Sequence, residues 1–306
     1  MKIFLSSLSI PVLKRLHEIN PALKPNVLIT FYGLNYPKDY TKTYRNMING
    51  LILDCGAFSL NNKKLGHEAH ALECDKLFMQ YRDYTKLTQN DYDFLFSFDD
   101  DFTPDGFDHN FERLLDLEAA GVRAVPVIHN LHNHEIDFFI NEKPKYPLVA
   151  IGQCRGDDRT NLSVLFEAVD KLYRERIKVH LFGMSTPSLI SHVPAYSCDS
   201  VTWNDYASRG RALYYNPEVN FLNKENLIYF PNKEKFSNLG NAVYYKDYKY
   251  MDAFLAHIKS KLGLVQDDLI AAQTQSMSLS LVNALYFMEL EERINEDNRL
   301  RGITFE

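Results

Sequence analysis

The chain has 306 residues, of which 45% are hydrophobic and 24% charged, values typical of a folded globular protein. Its formal net charge of −6 excludes a generally basic nucleic-acid binder and leaves room only for a local basic patch. The four cysteines include no Cys-x-x-Cys pair, which argues against a disulfide framework and a compact zinc finger. With no apolar run of membrane-spanning length and too short an apolar start for a signal peptide, we expect a cytoplasmic protein without a membrane partner.

Short apolar runs recur along the first two thirds of the chain and predict buried strands, most of them separated by segments of helical periodicity. The predicted strands are Lys2–Ser6, Asn26–Tyr32, Leu51–Leu53, Phe94–Phe98, Ala124–His129, Leu148–Gly152, Val179–Gly183 and Ser197–Val201. The predicted helices are Pro11–Ile19, His67–Leu87, Phe107–Ala120, Asn161–Arg176, Met251–Leu262 and Asp267–Ile294.

This alternation predicts an α/β protein, a (β/α)8 barrel of TIM type with additional C-terminal helices. A doubly wound sheet is the rival fold, but no glycine-rich phosphate turn follows the first strand. The strand pattern ends after Val201. We therefore expect a catalytic barrel core over residues 1–215 and a mostly helical extension over residues 216–306, packed on the barrel.

Polar side chains follow several of the predicted strands at their carboxyl ends. They are Asp54, the run Asp99–Asp101, His129, Gln153 and Asp199. In barrels of parallel strands the active site forms at this rim, and a carboxylate there is costly to bury unless it is paired or used. Two carboxylates that face each other across a cleft can divide acid/base and nucleophilic work, as in retaining cleavage of glycosidic bonds.

Five segments carry short motifs in a fixed order: Asp54–Phe58, Phe98–Pro104, Ala150–Gln153, Phe182–Gly183 and Cys198–Val201. In the same order, they resemble the D-S-G-G-Y/F, F-D-E-C-T-P, A-I-G-G and M-G motifs and the nucleophile strand of the tRNA-guanine transglycosylase superfamily. Pro126–His129 and Ser197–Trp203 look closer to the phage and bacterial DNA-guanine transglycosylase branch. The resemblance covers about residues 52–211.

The resemblance implies a base-exchange reaction. Asp199 would attack the anomeric carbon of the sugar and displace guanine, which leaves a covalent glycosyl-enzyme. Asp54 would move the proton, as acid for the departing guanine and base for the incoming 7-deazaguanine. The implied base-binding residues are Phe58, Asp99, Asp100, His129, Gly152, Gln153, Phe182 and Gly183.

Within that set the resemblance implies separate roles. Asp99, or Asp100 because this chain has one extra residue in the motif, would read the guanine edge. The main chain at Gly152 and Gln153 would add hydrogen bonds. Phe58 and Phe182 would cover the two faces of a flipped base.

The implied partners are DNA, with tRNA the less favoured polymer, and a free 7-deazaguanine base such as preQ0. The cysteine cluster with which the tRNA enzymes hold zinc does not follow Cys198, so we expect no metal and no cofactor. The residues expected to hold phosphates at the rim are Arg155, Arg159, Arg209 and Arg211.

Other interpretations stay open from the sequence. Asp99–Asp101 could cap the following helix, and His129, His132 and His134 with Asp99 could hold a metal. The same barrel could instead be a tRNA-guanine transglycosylase, a retaining glycoside hydrolase using Asp54 and Asp199, or an inactive barrel that binds nucleic acid. The sequence leaves the oligomeric state and the choice of deazaguanine open.

Overall fold

A computed structural model describes residues 1–34, 37–61, 66–103, 105–132, 134–152, 162–219, 224–231 and 240–305. The chain divides into two compact units. The first comprises Met1–Ser7, Asn26–Ser200 and Ile294–Glu306, and the second Leu8–Pro25 and Val201–Arg293. Among the described residues, no helix combines the length and apolarity that a membrane crossing requires.

The first unit is an α/β barrel of parallel strands, as predicted. The strands are β1 (Lys2–Ser6), β2 (Asn26–Thr30), β3 (Leu51–Asp54), β4 (Phe94–Phe96), β5 (Ala124–Val125), β6 (Val127–Ile128), β7 (Leu148–Ile151), β8 (Lys178–Leu181) and β9 (Ser197–Ser200). Their order in the sheet is β5-β4-β3-β2-β1-β9-β8-β7-β6. Apolar side chains from both halves of this sheet, among them Phe4, Ile52, Phe96 and Ala150, pack together as a buried core.

Pro126 explains why the fifth predicted strand is divided into β5 and β6. Proline lacks the N–H that a strand gives to its neighbour, so it interrupts a ladder. On one side, Val125 pairs with Phe96 of β4; on the other, Val127 pairs with Ala150 of β7. The two ends of the sheet order therefore meet on either side of one proline, and eight chain segments surround the core in the manner of a (β/α)8 barrel.

Helices alternate with these strands and close the chain. They are α1 (Ile10–Ile19), α2 (Ala57–Asn61), α3 (His67–Thr88), α4 (Phe107–Ala119), α5 (Glu135–Asn141), α6 (Leu162–Arg174), α7 (Pro187–Ile190), α8 (Thr202–Ser208), α9 (Met251–Leu262), α10 (Gln266–Ile270) and α11 (Gln275–Leu300). α4 ends within one residue of the predicted Ala120, and Gly121 follows with φ +83°, a conformation that favours glycine.

The long predicted helix Asp267–Ile294 is wrong in one respect, because the structure divides it into α10 and α11. Ala271, the residue that follows α10, has an extended backbone conformation. The side-chain amide of Gln275 then donates to the carbonyl of Leu269 at 3.0 Å, and so satisfies one of the carbonyls that the end of α10 leaves unpaired.

The second unit contains a small sheet that the sequence analysis did not predict, because it assumed that strands end after Val201. Its strands are β10 (Arg211–Tyr215), β11 (Glu225–Tyr229) and β12 (Val243–Tyr244), in that order. Asn283 of α11 bonds the outer edge of β10: it accepts from the Leu213 N–H at 2.8 Å and donates to the Arg211 carbonyl at 3.0 Å. The Asn283 side chain thus pairs a backbone N–H and a carbonyl at the edge of the sheet, where no further strand of the described residues pairs with β10.

Candidate active site

Four polar residues predicted at the strand ends converge at the carboxyl ends of β3, β4, β6 and β9: Asp54, Asp99, His129 and Asp199. Asp54 is the last residue of β3, and the backbone N–H groups of Cys55 and Gly56 donate to its carboxylate. Gly56 has φ +85°, and a Cβ there would lie 2.5 Å from side-chain atoms of both Thr30 and Tyr32. The turn that presents Asp54 therefore requires glycine at this position.

Asp199 lies within β9, and donors hold both of its carboxylate oxygens. The Ser6 hydroxyl at the end of β1 donates to Oδ2 at 2.6 Å, and the Gly183 N–H after β8 donates to Oδ1 at 2.7 Å. His180 of β8 brings Nε2 to 3.5 Å from the same Oδ1. These contacts fix the direction in which the carboxylate points.

Asp99 follows β4 and pairs with two neighbouring strand ends. Its Oδ1 accepts from the Cys55 thiol at 3.3 Å, and its Oδ2 lies 3.0 Å from Nε2 of His129. Glu135 of α5 accepts from the His129 N–H at 3.0 Å, so the backbone at His129 is also held in place. Asp99 and His129, both expected to bind the base, thus form one buried pair.

The other two carboxylates of the Asp99–Asp101 run have different partners. Asp100 lies 2.7 Å from His109 and 3.8 Å from Arg113, both on α4. Asp101 accepts from the N–H and the hydroxyl of Thr103, which is a local turn before α4. The run does not cap α4, because the N-cap residue of that helix is Gly106 and the described residues give its first turn no side-chain cap. Asp99 rather than Asp100 pairs with Cys55 and His129.

Electrostatics separates the two carboxylates that the sequence predicts as catalytic. Burial, together with the negative charges of Asp99 and Asp199, raises the pKa of Asp54 to about 8. Burial also works to raise the pKa of Asp199, but the donors His180, Ser6 and Gly183 more than offset it, and that pKa lies below its ordinary value. At neutral pH, Asp54 holds a proton and Asp199 is ionised.

At the end of β7, Gly152 lets the His129 ring approach the backbone closely. A Cβ at this position would lie 2.7 Å from Cε1 and 2.9 Å from Nδ1 of the His129 ring. The absence of a side chain at Gly152 thus gives His129 the space it occupies beside Asp99.

We expect Gly152→Ala to displace the His129 ring and weaken its bond to Asp99. The added methyl group should lower the free energy of unfolding by about 1–3 kcal/mol, as overpacking of a buried site usually does. Urea denaturation measures the change. Gly66→Ala is the matched control, because no atom of the described residues lies within 4 Å of a Cβ at that position. Equal stability of both variants would contradict this account of Gly152.

The two aromatic residues predicted to sandwich a base lie in different surroundings. Phe58 is 56% exposed, and its ring lies 6.0 Å from that of Phe102. Phe182 packs against the barrel core, with its ring 4.4 Å from Phe96 and 4.9 Å from His180. The base sandwich stays a prediction.

Five of the predicted binding residues are not among the described residues of the first unit. Gln153, Arg155 and Arg159 lie outside the described residues. Arg209 and Arg211 belong to the second unit, where Arg209 pairs with Asp205 at 3.1 Å and Arg211 begins β10. Their predicted contact with phosphates remains untested.

Among the described residues, His129, His132 and His134 do not form a cluster of metal ligands with Asp99. His129 is buried against Asp99, whereas the His134 ring contacts Phe107 at 5.0 Å. The described group with ligand atoms close enough for a metal is instead Asp54, Cys55 and Asp99, all within 4.8 Å of one another. Burial and the two neighbouring carboxylates raise the pKa of the Cys55 thiol well above its ordinary value, which disfavours the thiolate form that binds metals.

The sequence analysis missed two residues that contact Asp199. Ser6 was placed at the end of a strand but given no role, and His180 was placed inside one. The available signal was position: Ser6 follows an apolar run at the same rim as Asp54, and His180 is a polar residue within a run predicted to be buried on both faces.

In comparisons with known proteins, no family model and no curated sequence matches this chain.

Proposed function

We propose that this protein exchanges guanine in a polynucleotide, preferably DNA, for a 7-deazaguanine base through a covalent bond between Asp199 and the sugar. The observation that carries the proposal is the pair of carboxylates with opposed environments, since Asp54 keeps its proton at neutral pH and Asp199 does not. One acid and one nucleophile of this kind are what retaining chemistry at a glycosidic carbon needs.

In the first half of the proposed reaction, an oxygen of Asp199 bonds to C1′ of the sugar as the C1′–N9 bond breaks. The electron pair of that bond leaves with guanine, and the proton on Asp54 neutralises the departing base. In the second half, the incoming base gives its N9 proton to Asp54. Its N9 then bonds to C1′ and releases Asp199, so that both carboxyl groups return to their starting states.

The pair Asp99–His129 supports recognition of a guanine-like edge in this proposal. A carboxylate accepts hydrogen bonds, and guanine presents two neighbouring donors, N1–H and the 2-amino group. Asp99 is buried, and His129 Nε2 and the Cys55 thiol orient its two oxygens. A 7-deazaguanine has the same donors, so one site can accept both the departing and the incoming base.

Competition between polymers tests the proposed substrate. We expect duplex or single-stranded DNA to incorporate labelled 7-deazaguanine in preference to total tRNA offered at equal guanine content. The net charge of −6 makes extensive phosphate contact unfavourable, so the enzyme must take the target base out of the stack with few contacts. Preferential labelling of tRNA would reject DNA as the substrate while leaving the base-exchange chemistry in place.

Alanine variants of the two rings test base stacking. We expect Phe58→Ala and Phe182→Ala each to weaken binding of free guanine by about 1–3 kcal/mol, the usual size of one base–aromatic stack. Phe182→Ala should also lower the free energy of unfolding, because that ring packs on the core, whereas Phe58→Ala should not. Calorimetric titration with guanine and urea denaturation separate the two effects. Unchanged affinity in a folded variant would remove that ring from the base site.

A further inference from the structure

We infer that His180 is a positioning residue for the proposed nucleophile: its imidazole presents an N–H to Asp199 and keeps the carboxylate oriented and ionised. The catalytic meaning of this inference rests on the proposed function. The contact between the two side chains does not, and it can be tested without substrate.

The neighbours of its two nitrogens indicate which ring nitrogen of His180 carries the proton. Its Nδ1 lies 2.9 Å from the Ser197 hydroxyl, and its Nε2 lies 3.5 Å from Oδ1 of Asp199. Because an ionised carboxylate only accepts, the proton of a neutral ring belongs on Nε2, and the Ser197 hydroxyl donates to Nδ1. The result is a chain of donors that runs from Ser197 through His180 to Asp199.

The surroundings of His180 show that the ring is not needed merely to fill space. It is fully buried, and aromatic rings surround it: Phe4 at 6.3 Å, Phe94 at 6.2 Å, Phe96 at 4.8 Å and Phe182 at 4.9 Å between centroids. An apolar side chain would suit such a cage, whereas a buried imidazole is costly unless its nitrogens are used. Burial also lowers the pKa of His180, so the ring is neutral at neutral pH and acts as a donor rather than as a cation.

The distance of 3.5 Å between His180 Nε2 and Asp199 Oδ1 is longer than a normal N–H···O bond of about 2.9 Å, and Nε2 makes no hydrogen bond to the described residues in this arrangement. Catalytic hydrogen bonds are often long in the absence of substrate and shorten in the reacting complex. Among the described residues, the other groups near Asp199 are the Ser6 hydroxyl from β1, the Gly183 N–H after β8 and the carboxyl group of Asp54 from β3, which is protonated at neutral pH. Of these, Asp54 is the one that titrates.

The direct test measures the pKa of Asp199 in the whole protein by NMR, with carboxyl-¹³C aspartate and Asp199→Asn to assign the signal. We expect His180→Leu, which removes the donor, to raise the acid dissociation pKa of Asp199 by roughly one unit or more, a tenfold change in the constant. His180→Gln can place an amide N–H near the position of Nε2 and should keep the pKa close to the wild-type value. Ser197→Ala, a smaller change, should move it in the same direction as His180→Leu but less.

The same variants have a kinetic readout. In single-turnover formation of the glycosyl-enzyme, the acidic limb of the pH profile should move to higher pH in His180→Leu and return with His180→Gln. A wild-type pKa for Asp199 in both His180→Leu and Ser197→Ala would overturn the inference. If wild-type protein forms no glycosyl-enzyme, the proposed function fails, yet the NMR titration still decides whether His180 controls Asp199.

Discussion

Asp199→Asn should abolish base exchange, with a rate loss of roughly 10⁴- to 10⁶-fold, the range observed when a covalent nucleophile is removed. An amide is a far poorer nucleophile than a carboxylate. The asparagine can still satisfy its neighbours, because its oxygen can accept from the Gly183 N–H while its amide donates to the Ser6 hydroxyl. Folding should therefore survive the change.

The covalent adduct gives the measurement for this prediction. Wild-type protein incubated with guanine-containing DNA should show a slower species on denaturing gels, and Asp199→Asn should lack it. Asp83→Asn, the same change at an exposed helix position, is the matched control and should behave as wild type. Exchange at the wild-type rate in Asp199→Asn would exclude Asp199 as the nucleophile.

Asp54→Asn should slow exchange by about 10²- to 10⁴-fold and at the same time stabilise the fold at neutral and alkaline pH. The activity loss follows because the amide cannot give guanine a proton. The stability gain follows because the folded protein raises the pKa of Asp54 from its ordinary 3.8 to about 8. The environment of Asp54 suits its proposed chemistry but disfavours its charged form. A neutral side chain at the same position should therefore give the fold a higher free energy of unfolding.

The sign of the pH effect follows from proton binding. Between pH 3.8 and about 8, the folded protein keeps a proton on Asp54 that the unfolded chain releases. The stability of the wild type therefore falls as the pH rises through this window, and Asp54→Asn lacks this component. The difference in unfolding free energy between the variant and the wild type should thus grow from about pH 4 to about pH 8. A difference that is constant with pH, measured by urea denaturation across the range, would contradict the raised pKa.

Most of the barrel could be predicted from the sequence because parallel strands buried on both faces are continuous apolar runs. β1 has the predicted bounds Lys2–Ser6, and the other barrel strands lie within a few residues of theirs. The rim position of Asp54 followed from the same pattern, since this acid comes where the apolar run stops, whereas Asp199 lies in the strand Ser197–Ser200, which is not an apolar run. The sheet β10–β12 was missed because its strands mix tyrosines, charges and apolar residues and carry no such signal.

The partner of Asp99 could not be predicted, because the chain leaves strand alternation after β4. Phe94 and Phe96 both pack with the barrel core, so strict alternation would direct Phe98 and Asp100 inward as well. The structure instead packs Phe98 against Phe78 of α3, with 5.3 Å between ring centroids, and Asp99 pairs with His129. A change of direction at the end of a three-residue strand depends on tertiary packing, which local sequence patterns do not encode.

Coupling of base release to base incorporation tests the central claim most directly. The measurement follows DNA that contains labelled guanine, with and without a free 7-deazaguanine, and records released guanine, incorporated base and abasic sites. We predict that one deazaguanine enters for each guanine that leaves, without abasic sites, because the sugar stays bound to Asp199 until the new base arrives. Guanine release that leaves abasic sites whether or not the deazaguanine is present would contradict base exchange and indicate a glycoside hydrolase on the same barrel.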